Sequence, residues 1–286
     1  MQLTILHAGF MTTIQDAGRW HQAHLGFPVS GFMDGPAAEL ANCMVGNSPG
    51  SALFEVTWTG MTFTVDEPCC LAIAGAEFNC TRNGQPVDTG QVIQLAAGDT
   101  FKMAQLLSGV RAYVAIAGLL EVPDVLGSKS TLTLAAIGGF HGRQLTDGDV
   151  IRVTLNKAPV TRIKPDWKKC RAQTIHVLRV MPGPEFTEFS DTAIRQAFAQ
   201  PYGLTHQASR QGFRLSARPV EMPGGGRMRS SGLVPGSLQV TPDGQTILAM
   251  HDAQTTGGYP RILVVNQAEL HKLAQIRPGE QIYFFR

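Results

Sequence analysis

The feature of the sequence that most constrains the fold is a long series of short apolar segments separated by turn residues. In the first half of the chain, segments rich in Val, Ile, Thr and Phe lie at 3–7, 52–58, 61–65, 69–74, 91–95, 100–105, 110–117 and 150–155. Asn-Gly and Gly-Asp pairs, for example at 83–84 and 98–99, fall between them. Many short strands with turn signals between them are typical of β-barrels and sandwiches. The chain is therefore predicted to be mainly β.

A second series of such segments follows a polar stretch. It comprises 175–180, 213–217, 237–240, 246–250, 262–265 and 281–285. The polar stretch, 158–174, contains two prolines and lacks periodicity, which predicts a linker between two tandem β-rich domains, 1–157 and 175–286. A few short helices are also predicted, one beginning after the capping residue Asp34 and ending near Gly46, and others at 191–199 and 267–275.

Charge and hydrophobicity exclude two classes of partner. The net charge is +2 and the basic residues are scattered, so nucleic acid is not an expected partner. The longest apolar run, 113–120, is shorter than the ~20 residues that a membrane helix needs, so no membrane is expected either. The first residues lack the basic head and long apolar stretch of a signal peptide. Five cysteines without a pattern of pairs suit a reducing compartment, and a cytoplasmic protein is expected.

Two common kinds of site are not predicted. The closest approach to a phosphate-binding loop is 126–131, but Ser128 and not glycine precedes Lys129, so the backbone cradle for a phosphate is not predicted. His21 and His24 have the spacing of a metal-binding pair. No carboxylate cluster accompanies them, and no metal site is expected.

Three polar segments are candidates for a site. In the first, Gln15, Asp16 and Arg19 follow closely on one another; Asp16 and Arg19 could form a local salt bridge, or Arg19 could clamp a substrate carboxylate with two hydrogen bonds. In the second, Arg210 and Arg214 flank a glycine, and they are either plain exposed residues or anion ligands.

The third segment, HDAQTTGGYPR at 251–261, is the strongest candidate because it follows an apolar segment directly. Asp252 is available as a base, Gln254 can pair with an amide, and Tyr259 can donate a hydrogen bond or stack. Gly-Gly at 257–258 lets the backbone approach a ligand, and successive N–H groups could form a concavity for an oxyanion. The residues predicted to form it are Thr255, Thr256, Gly257 and Gly258. The alternative is a turn whose polar side chains satisfy its own backbone.

Several long motifs together resemble one protein family. They are TTIQDAGRWHQAHLGFPVSGFMDGPAAELANCMVGN, RAYVAIAGLLEVPDVLGSKSTLTLAAIGGFHGRQLTDGD, MPGPE, SSGLVPGSLQV and HDAQTTGGYPRI. The chain resembles the biotin-dependent carboxyltransferase family, also called allophanate hydrolase subunit 2, which includes the C subunits of 5-oxoprolinases. The resemblance implies two tandem cyclophilin-like β-barrel domains. The chain departs from the family at Leu119, where a second glycine is common, and at Gln211, where methionine is common.

The resemblance also implies a function that the chain does not perform alone. Together with the 5-oxoprolinase subunits A and B, of which the latter is itself cyclophilin-like, it would hydrolyse 5-oxo-L-proline to L-glutamate with ATP, whose site the partners complete. Arg19 or Arg214 would then hold the substrate carboxylate, and Asp252 or Asp16 would manage a proton. One alternative is carboxyl transfer to urea or a related amide from a biotin that is not attached to this chain. Another is a regulatory binding protein that antagonises a kinase inhibitor.

Overall fold

The computed structural model describes residues 1–156, 173–222 and 228–286. The chain forms two compact units: the first contains Met1–Arg19 and Ser30–Ala172, and the second contains Trp20–Val29 and Gln173–Arg286. Apart from its last two residues, the predicted linker 158–174 lies outside the described residues. The domain boundaries predicted from the sequence placed residues 20–29 in the N-terminal domain, whereas the structure groups them with the second unit. The predicted boundaries stay predictions.

The first unit is built on one antiparallel sheet. Its strands are β1 (Gln2–His7), β2 (Met11–Gln15), β3 (Leu53–Thr57), β4 (Thr62–Val65), β5 (Cys69–Arg82), β6 (Gln85–Val87), β7 (Ile93–Leu95), β8 (Thr100–Ile116), β9 (Gly118–Leu120) and β10 (Val150–Leu155). The hydrogen-bonded order is β2-β3-β8-β4-β1-β10-β9, and β5 pairs with β6, β7 and β8. One face buries a core that includes Phe54, Phe63 and Phe101, because alternate side chains of a strand point to the same face.

A helix, α1 (Gly35–Met44), covers the other face of this sheet, where its alanines pack near Tyr113. As predicted, the Asp34 side chain caps it by accepting a hydrogen bond from the Ala37 N–H, at 3.2 Å. The start of α1 is also held from the sheet. The Asp34 N–H donates to the Tyr113 hydroxyl (2.7 Å), which donates to the Glu55 carboxylate (2.9 Å). Burial and the neighbouring carboxylates raise the pKa of Tyr113 well above 10, so the phenol stays protonated and can donate.

The second unit contains a closed seven-stranded barrel. Its strands are β11 (Ile175–Pro182), β12 (Tyr202–Ala208), β13 (Gly212–Ser216), β15 (Ser237–Val240), β16 (Thr246–Ala249), β18 (Arg261–Val265) and β19 (Gln281–Phe285), in the closed order β11-β18-β15-β16-β13-β12-β19. The helices are α2 (Asp191–Ala199) and α3 (Leu270–Leu273), the latter preceded by a 3-10 turn at Gln267–Glu269. Two short strands, β14 (Ser231–Gly232) and β17 (Thr256–Gly257), pair with each other apart from the barrel.

The predicted mainly β fold with tandem barrel-type units is confirmed, with the barrel closed in the second unit. Among the described residues, no helix is long and apolar enough to cross a membrane. The sequence interpretation missed several strands, among them β12 of the barrel, and it treated β2 and β17 as polar loops. Both are strands because partners in the fold satisfy their backbones, and β2 is buried despite its threonines and glutamine. Local composition underestimates such strands, since burial and pairing decide strand formation more than propensity does.

Candidate functional site

Within the strongest predicted segment, 251–261, residues 254–259 are carried by the paired strands β14 and β17, which we call the ribbon. Ser231 pairs with Gly257 and Gly232 with Thr256, and the Leu233 N–H donates to the Thr255 carbonyl at 2.8 Å. Neither Gly257 nor Gly258 has a positive φ. An anion-binding nest commonly alternates right- and left-handed residues, so the geometry favours a paired strand over the predicted backbone concavity at 255–258, which stays a prediction.

Side chains of the segment 254–259 remain accessible to a ligand. Gln254 and Thr256 are exposed, and Tyr259 is 39% exposed. Beneath them Gln239 is buried and its side-chain N–H donates to the Tyr259 carbonyl at 3.4 Å. A side chain at Gly257 would meet the Gln239 amide nitrogen at 2.6 Å. A Cβ at 257 would therefore displace the end of the Gln239 side chain, and no unusual φ calls for glycine there.

The fold brings together two predicted site residues, Arg210 and Asp252. The Arg210 Nε donates to Asp252 Oδ2 (2.8 Å) and its Nη2 to Oδ1 (3.0 Å), with both residues 5% exposed. The Asp252 N–H also donates to the Arg210 carbonyl, at 2.8 Å. A carboxylate whose two oxygens face one guanidinium is well placed to hold two chain segments together. The geometry favours that role, and the action of Asp252 as a base stays a prediction.

A second buried pair, Glu185 and Arg261, was not among the predicted site residues. The Arg261 Nε donates to Glu185 Oε2 (2.8 Å), its Nη2 to Oε1 (2.5 Å), and its backbone N–H to Oε2 (3.0 Å). The hydrogen bonds from the Arg261 side chain lower the pKa of Glu185, and those to Glu185 raise the pKa of Arg261. The signals that could have found the pair were present, because Glu185 ends the MPGPE motif and Arg261 ends HDAQTTGGYPR.

Arg214, the other arginine of the second predicted segment, lies on β13 with its side chain outside the barrel. Phe213 and Leu215, its neighbours along the strand, are buried in the barrel, whereas Arg214 is exposed. The alternation of faces along a strand explains this difference. Arg214 is therefore open to solvent and to an anionic ligand.

In the first unit, the three predicted residues converge on the loop 125–131. The Asp16 carboxylate accepts hydrogen bonds from the hydroxyls of Ser128 (2.7 Å) and Ser130 (2.5 Å) and from the Lys129 N–H (2.6 Å). The Gln15 amide donates to the Thr131 carbonyl at 3.1 Å. These contacts attach the loop to the end of β2.

Arg19 holds the same loop from a fully buried position. Its Nε donates to the Val125 carbonyl (2.9 Å) and its Nη2 to the Ser130 carbonyl (3.0 Å), and the residue is 0% exposed. A substrate clamp must reach its ligand, so the geometry favours a loop-positioning role for Arg19 over the predicted clamp.

The same loop does not suit a nucleotide phosphate. A phosphate loop binds its ligand with free backbone N–H groups and a lysine ammonium. Here the Lys129 N–H faces Asp16, and the Lys129 ammonium donates to the Leu120 carbonyl at 2.9 Å. The residues present thus do not fit ATP at this position. Among the described residues, no group of three or more His, Cys, Asp and Glu is arranged to hold a metal.

Comparison with known proteins identifies close relatives. The family described as carboxyltransferase domain, subdomain A and B, matches residues 25–286. The C subunit of the Escherichia coli 5-oxoprolinase is 37% identical over 99% of this chain and 90% of its own length. The urea amidolyase of Saccharomyces cerevisiae is 32% identical over 96% of this chain, but the match covers 16% of that protein.

A solved structure shares the fold of this chain. The crystal structure of the Kluyveromyces lactis urea carboxylase has a TM-score of 0.91 to it, with 27% sequence identity. The match covers 99% of this chain and 27% of that one.

Proposed function

Because the chain belongs to the family of the carboxyltransferase domain, subdomain A and B, we propose that it is the C subunit of an ATP-dependent 5-oxoprolinase. With subunits A and B, it would open 5-oxo-L-proline to L-glutamate. The observation that carries this proposal is the end-to-end match to the Escherichia coli C subunit, which covers 99% of this chain and 90% of that protein. The match to urea amidolyase has a lower identity, 32%, and covers 16% of a much larger protein, so it supports the urea alternative only weakly.

In the proposed reaction, the segment 254–259 binds the lactam ring of 5-oxo-L-proline. The Gln254 amide can pair with both the N–H and the C=O of a lactam, since it carries a donor and an acceptor. Thr256 and Tyr259 add hydroxyls on the same exposed segment. Of the two arginines predicted to hold the substrate carboxylate, Arg214 is exposed and Arg19 is fully buried, so exposure favours Arg214 over Arg19 for this contact.

ATP binding is assigned to the partner subunits. The loop 125–131 of this chain is closed by its own hydrogen bonds, and it does not fit a phosphate. We therefore expect no turnover by this chain alone.

The test is co-expression of the chain with candidate A and B subunits, followed by an assay of ATP-dependent glutamate release from 5-oxoproline. We expect release only when all three chains are present. Equal release by the two partners without this chain would contradict the proposal. Loss of activity with avidin would favour biotin-dependent carboxyl transfer, and tight binding of the cyclophilin-like partner without turnover would favour a regulatory protein.

The assignment of the ribbon is tested by Gln254→Ala in the complete complex. Removing one substrate hydrogen bond is expected to lower kcat/KM for 5-oxoproline about tenfold. Gln267→Ala is the matched control, because Gln267 is an exposed glutamine of the same unit. If both variants behave like the wild type, the ribbon is not the substrate site.

A further inference from the structure

We propose that Arg261, held by Glu185, is a positioning residue that fixes the ribbon and with it the segment 254–259. The effect on catalysis that we derive rests on the proposed function, whereas the positioning itself does not. The inference gives a role to the MPGPE motif, which the proposed reaction does not use.

The contacts of Arg261 join three separate parts of the second unit. Its Nη1 donates to the Gly232 carbonyl and its Nη2 to the Ser231 hydroxyl (2.8 Å), both on β14. Its Nε and Nη2 bind the two oxygens of Glu185, which follows β11. Arg261 itself begins β18 of the barrel. One planar guanidinium therefore connects the ribbon to the barrel.

The ribbon needs such a connection because it is very short. Its strands contain two residues each, and an isolated two-stranded ribbon is marginal in water even when it is longer. The cross-strand partners alone cannot fix its position. Contacts to the barrel must supply the remaining constraint, and the guanidinium of Arg261 contacts both residues of β14.

The turn that carries Glu185 packs closely against the backbone of Arg261. A side chain at Gly183 would overlap the carbonyl oxygen of Arg261, and the Gly183 N–H donates to the Ile262 carbonyl at 3.0 Å. Only glycine permits this approach of the two backbones. The glycine and the glutamate of MPGPE thus serve the same contact.

Lysine cannot replace Arg261 in this role. The site uses all three guanidinium nitrogens in fixed directions, whereas a lysine ammonium is a single point charge on a flexible stem. Both members of the pair are only 8% exposed, so water compensates poorly for a lost hydrogen bond. Arg261→Lys keeps the positive charge but removes the planar set of donors. The variant therefore shows whether the directions of the hydrogen bonds matter beyond the charge.

The experiment is hydrogen–deuterium exchange of the full chain, read by mass spectrometry on peptides covering 228–234 and 252–259. In Arg261→Lys and Glu185→Gln, we expect exchange in both peptides to be about tenfold faster, while β16 and β19 keep their protection. Ser231→Ala, which removes one hydrogen bond and keeps the ion pair, should give a smaller increase and guards against a variant that fails to fold. Glu280→Gln is the control, because it disrupts the His176–Glu280 pair (2.7 Å) elsewhere in the same unit.

Unchanged exchange at 252–259 in Arg261→Lys would overturn the proposal, as would an equal increase in Glu280→Gln. In the complete complex, Arg261→Lys should raise KM for 5-oxoproline about tenfold and leave KM for ATP unchanged, which a general loss of stability would not do. If the ribbon loosens but no assembled complex turns over 5-oxoproline, the positioning role stands and the proposed function fails.

Discussion

At the scale of single residues, the charged side chains of the candidate segments hold the chain together in pairs and clusters. Asp16 binds the loop 125–131, Asp252 binds Arg210, and Glu185 binds Arg261. Each of these carboxylates accepts several hydrogen bonds, and such charge-assisted bonds are stronger than neutral ones. The groups that stay available to a substrate are mostly uncharged.

The first prediction concerns Asp16→Asn. The amide keeps one acceptor oxygen and places its NH2 group opposite either the Lys129 N–H or the two serine hydroxyls, so the variant should lose about 2–3 kcal/mol of stability in the first unit. Denaturant unfolding measures this loss. Asp88→Asn is the control, since exposed Asp88 accepts one local hydrogen bond from Gly90. Equal stability of the two variants would show that the loop does not depend on Asp16.

The second prediction concerns the pH dependence of stability. Hydrogen bonds from Arg261 hold the pKa of Glu185 below its usual 4.5, so the unfolded chain binds this proton more readily than the folded chain. The resulting stability is present above pH 4.5 and is lost as the pH falls through the folded-state pKa. The free energy of unfolding of Glu185→Gln should therefore fall less steeply below pH 4.5. Glu188→Gln, at an exposed glutamate three residues away, should keep the slope of the wild type.

At the scale of elements, the ribbon packs more tightly at Gly257, which lies against Gln239 of β15, than at Gly258. A methyl group at Gly257 would lie 2.6 Å from the Gln239 amide nitrogen, whereas one at Gly258 would have its nearest neighbour at 3.6 Å. Contacts at the first distance force a displacement, and contacts at the second are ordinary packing.

The third prediction compares alanine at these two positions. Gly257→Ala should cost about 1–2 kcal/mol of stability because it overpacks the contact with Gln239. It should also lower kcat/KM of the complex about tenfold, since the ribbon moves. Gly258→Ala should stay within about 0.5 kcal/mol of the wild type. Thermal unfolding and the glutamate assay measure both effects, and similar behaviour of the two variants would refute the packing argument.

At the scale of the whole molecule, the second unit depends on the closure of its barrel. β19 pairs in parallel with β11 and antiparallel with β12, and it places the buried Ile282 and Phe284 in the interior. Closure removes the free edges that a sheet otherwise exposes. Strands from opposite ends of the unit therefore depend on one another.

The fourth prediction tests this dependence with Ile282→Ala. The cavity should cost about 2–5 kcal/mol, because Ile282 is fully buried at the closing strand. Gln281→Ala, at the exposed neighbouring position, should change stability by less than about 0.5 kcal/mol. The measurement is the free energy of unfolding of the second unit by chemical denaturant. A loss of stability below about 1 kcal/mol for Ile282→Ala would show that the closing strand packs loosely.

The sequence by itself determined the mainly β class, most strands and the Asp34 cap of α1. These features follow from local rules, since turn residues, alternation and capping act over a few positions. The helix at 191–199 and the strand at 281–285 have the predicted limits. The resemblance in motifs further predicted the family, which the match over residues 25–286 confirms.

Only the tertiary structure decided how each candidate residue is used. The residues of each hydrogen-bonded pair are far apart in the sequence. The separations are 42 residues for Arg210 and Asp252, 76 for Arg261 and Glu185, and 112 for Asp16 and Ser128. No local pattern encodes such pairings, because they depend on which strands become neighbours. The same reason explains why the Gly-Gly segment is a paired strand and not an open loop: the strand that pairs with it, β14, lies well before it in the sequence, at Ser231–Gly232.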